Sequence, residues 1–112
     1  MLAKKQMPEK PFEFPDVNRT IHEPARLAIL TVLSSCASAD FLFLQKTTGL
    51  SKGNLSVQLT RLEEAGLVYI DKTFKGKKTL TTAELSSEGK QQLDDYWLTM
   101  KTIKKSSGRS SY

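Results

Sequence analysis

The chain has 112 residues, room for one hydrophobic core and not two. Its apolar fraction is 38%, its formal charge +5 and its pI about 9.4, a balance that suits an acidic partner such as nucleic acid. The single cysteine, Cys36, excludes an intramolecular disulfide, and no apolar run approaches the ~20 residues that span a bilayer.

The charge is unevenly spread. Residues 51–80 carry Lys52, Arg61, Lys72, Lys75, Lys77 and Lys78 against Glu63, Glu64 and Asp71, six minus three or a net +3. Residues 99–112 carry Lys101, Lys104, Lys105 and Arg109 and no acid. The N-terminus has lysines without an apolar signal core. A cytoplasmic protein in a reducing compartment, with no membrane partner, is the expectation.

In chain order, residues 1–15 hold Pro8, Pro11 and Pro15 among charges and read as an extended arm. Its Phe12 and Phe14 are candidates to dock on the body or on a second subunit. Asp16 to Ile21 reads as a short helix capped by Asp16. Pro24 opens a helix running to about Ser35, because proline suits a first helical turn. Leu27, Leu30 and Leu33, with Ala25, Ala28, Ile29 and Val32, make it apolar almost all round, as a central helix should be. A break follows, with space for a very short strand. Asp40 then caps a helix over Phe41–Thr48 that Gly49 ends.

Ser51 caps the next helix, residues 51–65, and Gly66 stops it. Leu55, Leu59 and Leu62 fall at i, i+4 and i+7 and share the inner face. The outer face bears Gly53, Val57 and Thr60, flanked by Asn54, Ser56 and Arg61, with no acid in its first two turns. A merely solvated helix carries Glu and Lys there; this face is shaped to lie against something. Val68 to Phe74 and Thr79 to Leu85 alternate as strands about the turn Lys75-Gly76-Lys77-Lys78. Three ammonium groups at one hairpin tip repel one another, whereas beside a polyanion they release counterions. Ser86 caps a last helix, 86–105, whose Leu93, Tyr96, Met100 and Ile103 are spaced as in a coiled-coil seam, with Trp97 beside them. Residues 106–112 read as a disordered tail.

Helix, helix, helix, hairpin, helix is the order of a winged helix domain. The chain resembles the winged helix-turn-helix transcriptional regulators of the MarR and ArsR type, and within them the small stand-alone winged helix DNA-binding proteins. The resemblance rests on Pro24-Ala25-Arg26-Leu27-Ala28-Ile29-Leu30, Leu50-Ser51-Lys52-Gly53-Asn54-Leu55-Ser56, Leu62-Glu63-Glu64-Ala65-Gly66-Leu67-Val68 and Leu85-Ser86-Ser87-Glu88-Gly89, and covers residues 22–103. It implies an α+β, mostly α, winged helix-turn-helix fold over residues 16–105, with a three-helix core, a two-stranded wing (68–85) and a long C-terminal dimerisation helix. It also implies a homodimeric regulator, a repressor, that binds double-stranded DNA in a sequence-specific way.

The α-helix fits the major groove, and its first turns carry the readout. The candidate DNA-contacting residues are Ser51, Lys52, Gly53, Asn54, Ser56, Val57, Thr60 and Arg61 on the helix, and Lys75, Gly76, Lys77 and Lys78 on the wing. Asn54 suits adenine, Lys52 guanine or a phosphate, and Val57 a thymine methyl, where the resembling families often carry histidine or arginine. Phe12, Phe14, Leu93, Tyr96, Trp97, Met100 and Ile103 are the candidate dimer interface. A small-molecule effector is a further candidate partner, with Tyr96, Trp97, Phe12 and Phe14 as the side chains to line its crevice, though aromatics near a dimer seam more often pack. Arg26 reads as structural, paired with Glu23 or with the recognition helix. Cys36 reads as a small core residue, and the lone His22 has no evident partner. No Cys/His cluster has metal-ligand spacing and no nucleophile–base pair stands out, so neither a cofactor nor an enzyme is expected. The competing function is a winged helix that binds another protein, which should have lost the basic wing or carry acids on the recognition face.

Overall fold

The computed structural model describes residues 15–107. Its elements are α1 (Pro24–Ser34), β1 (Ala39–Asp40), α2 (Phe41–Thr48), α3 (Lys52–Glu64), β2 (Val68–Lys75), β3 (Lys78–Leu85) and α4 (Ser87–Ser107). This is the expected α+β winged helix arrangement. The arm residues Phe12 and Phe14 and most of the C-terminal tail lie outside the described residues.

Each helix begins where a side chain can accept from its unpaired first-turn amides. The Glu23 carboxylate accepts from the Arg26 backbone N–H at 2.8 Å, with Pro24 in the first turn of α1. Asp40 accepts from Phe43 N–H at 2.7 Å, and Ser51 Oγ from Asn54 N–H at 3.1 Å. The segment before α1 differs from the helix expected over Asp16–Ile21. It is a turn at residues 19–21 headed by Asn18, whose Oδ1 accepts from the N–H groups of Thr20 and Ile21. An asparagine that bonds the backbone two residues on favours a turn over a helix.

The sheet is antiparallel in the order β1-β3-β2. The short strand appears as β1, where Ala39 opposes Ala83 and Asp40 opposes Thr82. The wing ladder runs from Val68 opposite Leu85 to Lys75 opposite Lys78. Lys75 and Lys78 are therefore its last pair, and only Gly76 and Lys77 form the turn. Gly76 has φ +68°, and a glycine with positive φ at the first position of a two-residue turn matches the twist of the strands.

One core joins these parts. Ile29, Leu30 and Leu33 of α1, Leu44 of α2, Leu55, Leu59 and Leu62 of α3, Val68 and Ala83 of the wing, and Leu93 and Tyr96 of α4 are all buried in it. Each buried leucine contributes about 1.5–3 kcal/mol. Ser86 is the joint between wing and α4. It is buried, donates from Oγ to Gly66 O at 2.7 Å, and accepts from Gly89 N–H at 2.8 Å. Helix α4 continues to Ser107, two residues past the expected end. Among the described residues no helix is long and apolar enough to cross a membrane.

Candidate nucleic-acid interface

Helix α3 buries Leu55, Leu59 and Leu62 and turns Lys52, Gly53, Asn54, Ser56, Val57, Thr60 and Arg61 outward, all exposed. The outer face thus consists of two cations, an amide, small hydroxyls and one apolar side chain, Val57, with no acid in the first turn. Ser51 is exposed too, but its Oγ is engaged as the cap. The Thr60 hydroxyl donates to Ser56 O at 3.0 Å, which leaves its lone pairs facing out.

A polar residue interrupts the inner face. Gln58 is only 9% exposed. Its Oε1 accepts from Arg26 Nη1 at 2.9 Å and its Nε2 donates to Asn54 Oδ1 at 3.0 Å. Arg26 also donates from Nε to Thr20 O at 2.5 Å. Arg26 is structural, as expected, and bonded to the recognition helix; Glu23 takes its backbone amide through the cap. Gln58 was not among the candidates. The signal available was a lone amide between Leu55 and Leu59, four residues after Asn54.

The wing stands beside α3, with Lys75, Gly76, Lys77 and Lys78 exposed at its tip. Two adjoining clefts of about 400 and 540 Å³ separate strands from helix. Ser56 and Thr60 line them from α3, Thr79 and Thr81 from β3, with Lys52 and Asp40 on the lining of one and Lys72 and Glu63 on that of the other. Lys72 shares a strand face with Ile70, which packs on the core, and its Cα partner is Thr81. Strand alternation therefore points it into the cleft. The sequence shows its charge but not its place in the cleft. Phe74, on the same face nearer the tip, is 79% exposed.

On α4 the proposed seam divides. Leu93 and Tyr96 are buried in the protomer's own core, so neither is free to meet a partner. The Tyr96 hydroxyl shares a 2.7 Å hydrogen bond with Nδ1 of His22, the histidine that lacked an evident partner. Spacing alone does not tell which surface buries a stripe, and here it is α1 and its neighbours. Met100 and Ile103 are half-buried, and Met100 packs on the core. Trp97 and Leu98 face outward, with Trp97 edge-on to Tyr96 at a centroid separation of 5.3 Å. Cys36 is half-buried. Among the described residues no cluster of three or more His, Cys, Asp or Glu side chains could hold a metal ion.

The family model described as winged helix DNA-binding domain matches residues 25–103, well over half of the chain. Among solved structures, the chain is similar to a transcriptional regulator homologue from Pyrococcus horikoshii OT3, with 26% identity and a TM-score of 0.73 over 79% of this chain and 87% of that one. It is similar in fold to NadR in complex with 4-hydroxyphenylacetate, with 22% identity and a TM-score of 0.63 over 79% of this chain and 62% of NadR. A MarR-family transcriptional regulator from Silicibacter pomeroyi shares the fold at 18% identity and a TM-score of 0.61, over 84% of this chain and 62% of that one. The chain thus spans less than two thirds of the length of the last two proteins. Comparison with curated proteins gives no match. With helix-turn-helix and wing in place and the family model covering both, the chain belongs to the winged helix DNA-binding domain family, whose fold here is that of the MarR-like transcriptional regulators.

Proposed function

We propose that the protein is a homodimeric repressor that binds double-stranded DNA in a sequence-specific way, with α3 in the major groove and the wing on the backbone or in the minor groove. The observation that carries this reading is the outer face of α3. Lys52, Asn54, Ser56 and Val57 stand exposed on its first two turns beside a lysine-tipped hairpin. A helix whose first turns offer donors, acceptors and one methyl-bearing side chain matches what base edges present in the major groove. Lys52, Lys72 and the hydroxyls of Ser56, Thr60, Thr79 and Thr81 give the cleft between α3 and wing donors for a phosphate track, interrupted by the carboxylates of Asp40 and Glu63, because ammonium and hydroxyl donors both serve phosphate oxygens. Lys75, Lys77 and Lys78 extend that track.

In a dimer, two copies of α3 would enter successive major grooves about 34 Å apart on a roughly palindromic site. Trp97 and Leu98, with Ile103, are the apolar side chains of α4 that remain to bury against a second copy. Repression would follow from occupying the operator. A small-molecule effector is supported by the ligand bound to NadR, a fold relative.

Selection of bound duplexes from a randomised library, with affinity then measured against salt, tests the reading. A recovered palindrome and a log–log salt slope of about −4.5 to −9, corresponding to roughly five to ten neutralised phosphates, are expected. Absence of binding even at low salt would overturn it in favour of a protein-binding module.

A further inference from the structure

The hydrogen bonds from Arg26 through Gln58 to Asn54 have a direction that the chemistry of the first member sets. A guanidinium donates and cannot accept. Gln58 must therefore turn its carbonyl oxygen to Arg26, at 2.9 Å, and its NH₂ to Asn54, at 3.0 Å. Asn54 must in turn present Oδ1 inward, and its NH₂ is left on the exposed surface of the helix. The chain is well anchored. Gln58 is 9% exposed, and the Arg26 guanidinium is also held by Thr20 O at 2.5 Å. Rotating the Asn54 amide by half a turn would set its NH₂ against the Gln58 NH₂, donor against donor.

We infer that Arg26 and Gln58 are positioning residues that fix the polarity of Asn54, so that Asn54 meets DNA as a donor and seeks an acceptor on the base edge, guanine with O6 and N7 best of all. The inference rests on α3 lying in the major groove as proposed above. There, guanine O6 and N7, thymine O4 and adenine N7 accept, whereas adenine N6 and cytosine N4 donate. An unconstrained asparagine serves either class and pairs best with adenine, using both ends of its amide. With Oδ1 committed to Gln58, that bidentate pairing is disfavoured. The expected partner thus shifts from bidentate adenine, suggested by residue type alone, towards guanine, whose O6 and N7 both accept.

Gln58→Glu tests this. The variant side chain keeps its length and still accepts from Arg26. Its second carboxylate oxygen now accepts where Gln58 donated. Asn54 then turns its NH₂ inward and its Oδ1 outward, and becomes an acceptor. Wild type, Asn54→Ala and Gln58→Glu would each be used to select duplexes from a randomised library. The base position whose preference disappears in Asn54→Ala marks the contact. At that position wild type and Gln58→Glu should select different base pairs, wild type one that sets an acceptor such as guanine O6 or N7 at the contact, and Gln58→Glu one that sets the adenine N6 or cytosine N4 donor there. The preference ratio should move roughly two- to tenfold in each direction, the worth of one hydrogen bond.

The same base selected by wild type and Gln58→Glu overturns the inference while leaving the major-groove reading intact. A wild-type protein that selects no sequence overturns both. Should Gln58→Glu fail to fold, the double variant Arg26→Met, Gln58→Met keeps the bulk and removes the chain of hydrogen bonds. Discrimination among base pairs at that position should then collapse towards equality, and its full retention overturns the inference.

Discussion

Gly89 sets two physical effects against each other. It lies in the first turn of α4, where alanine would be the better helix former by about 1 kcal/mol. By propensity, Gly89→Ala should stabilise the protein. The packing requires the opposite. A Cβ at Gly89 would stand 2.0 Å from Leu67 O, 2.9 Å from Leu67 C and 3.0 Å from Leu85 Cδ1. An ordinary carbon–oxygen approach is about 3.3 Å, so α4 must recede by roughly 1.3 Å from the segment that joins α3 to the wing. Two hydrogen bonds hold it there, Ser86 N–H to Leu67 O at 3.0 Å and Ser86 Oγ to Gly66 O at 2.7 Å. Leaving buried partners unpaired costs about 1–3 kcal/mol for each. With the propensity gain subtracted, the net loss is about 1–5 kcal/mol, centred near 3. That is a large part of the 5–15 kcal/mol available to a domain of this size. Urea denaturation followed by the fluorescence of Trp97, the only tryptophan, measures it, and the melting temperature should fall by about 12 °C or more. Gly53→Ala is the control. Apart from its chain neighbours and the helix's own backbone, nothing lies within 4 Å of a Cβ there, so propensity governs and the variant should be stabilised by up to about 1 kcal/mol. Equal or greater stability of Gly89→Ala would refute the close-approach reasoning.

Three further outcomes are expected. Changing Lys75, Lys77 and Lys78 together to alanine should weaken binding on all DNA sequences alike and flatten the log–log salt slope by as much as about 5 in a dimer; an unchanged slope would remove the wing from the phosphate contacts. Trp97→Glu combined with Leu98→Glu should convert the protein to monomers in sedimentation while leaving its circular dichroism unchanged, because both side chains face outward. Dimers persisting in that variant would place the interface elsewhere. Ser51→Ala should cost about 1 kcal/mol of stability in urea titration through loss of the cap on α3, and no loss would mean that water replaces the hydroxyl.

Much of the recognition half was legible because its signals are local. Asp40 and Ser51 cap α2 and α3 as their sequence positions indicate, and Gly49 and Gly66 follow the helix ends with φ of +74° and +77°. The lysine tip of the wing was likewise readable, since a glycine among lysines between two alternating strands leaves few other conformations. Asn18 shows the limit even at short range. Its side chain bonds the backbone two and three residues on and replaces the expected helix with a turn.

The sequence by itself determined where helices start and stop, which face of α3 is small and polar, and that three lysines crowd one hairpin tip. These depend on capping, turn geometry and a 3.6-residue period, all of which act within about one turn of chain. Only the tertiary structure decided who buries each face. It assigned Leu93 and Tyr96 to the protomer's own core and left Trp97 and Leu98 outside. It brought Lys72 to the cleft beside α3, and set Gly89 against Leu67 O. It joined Arg26 to Gln58 across 32 residues and His22 to Tyr96 across 74. A periodic stripe states that a face is apolar but not what covers it, and a polar side chain states what it can bond but not what the fold brings within 3 Å.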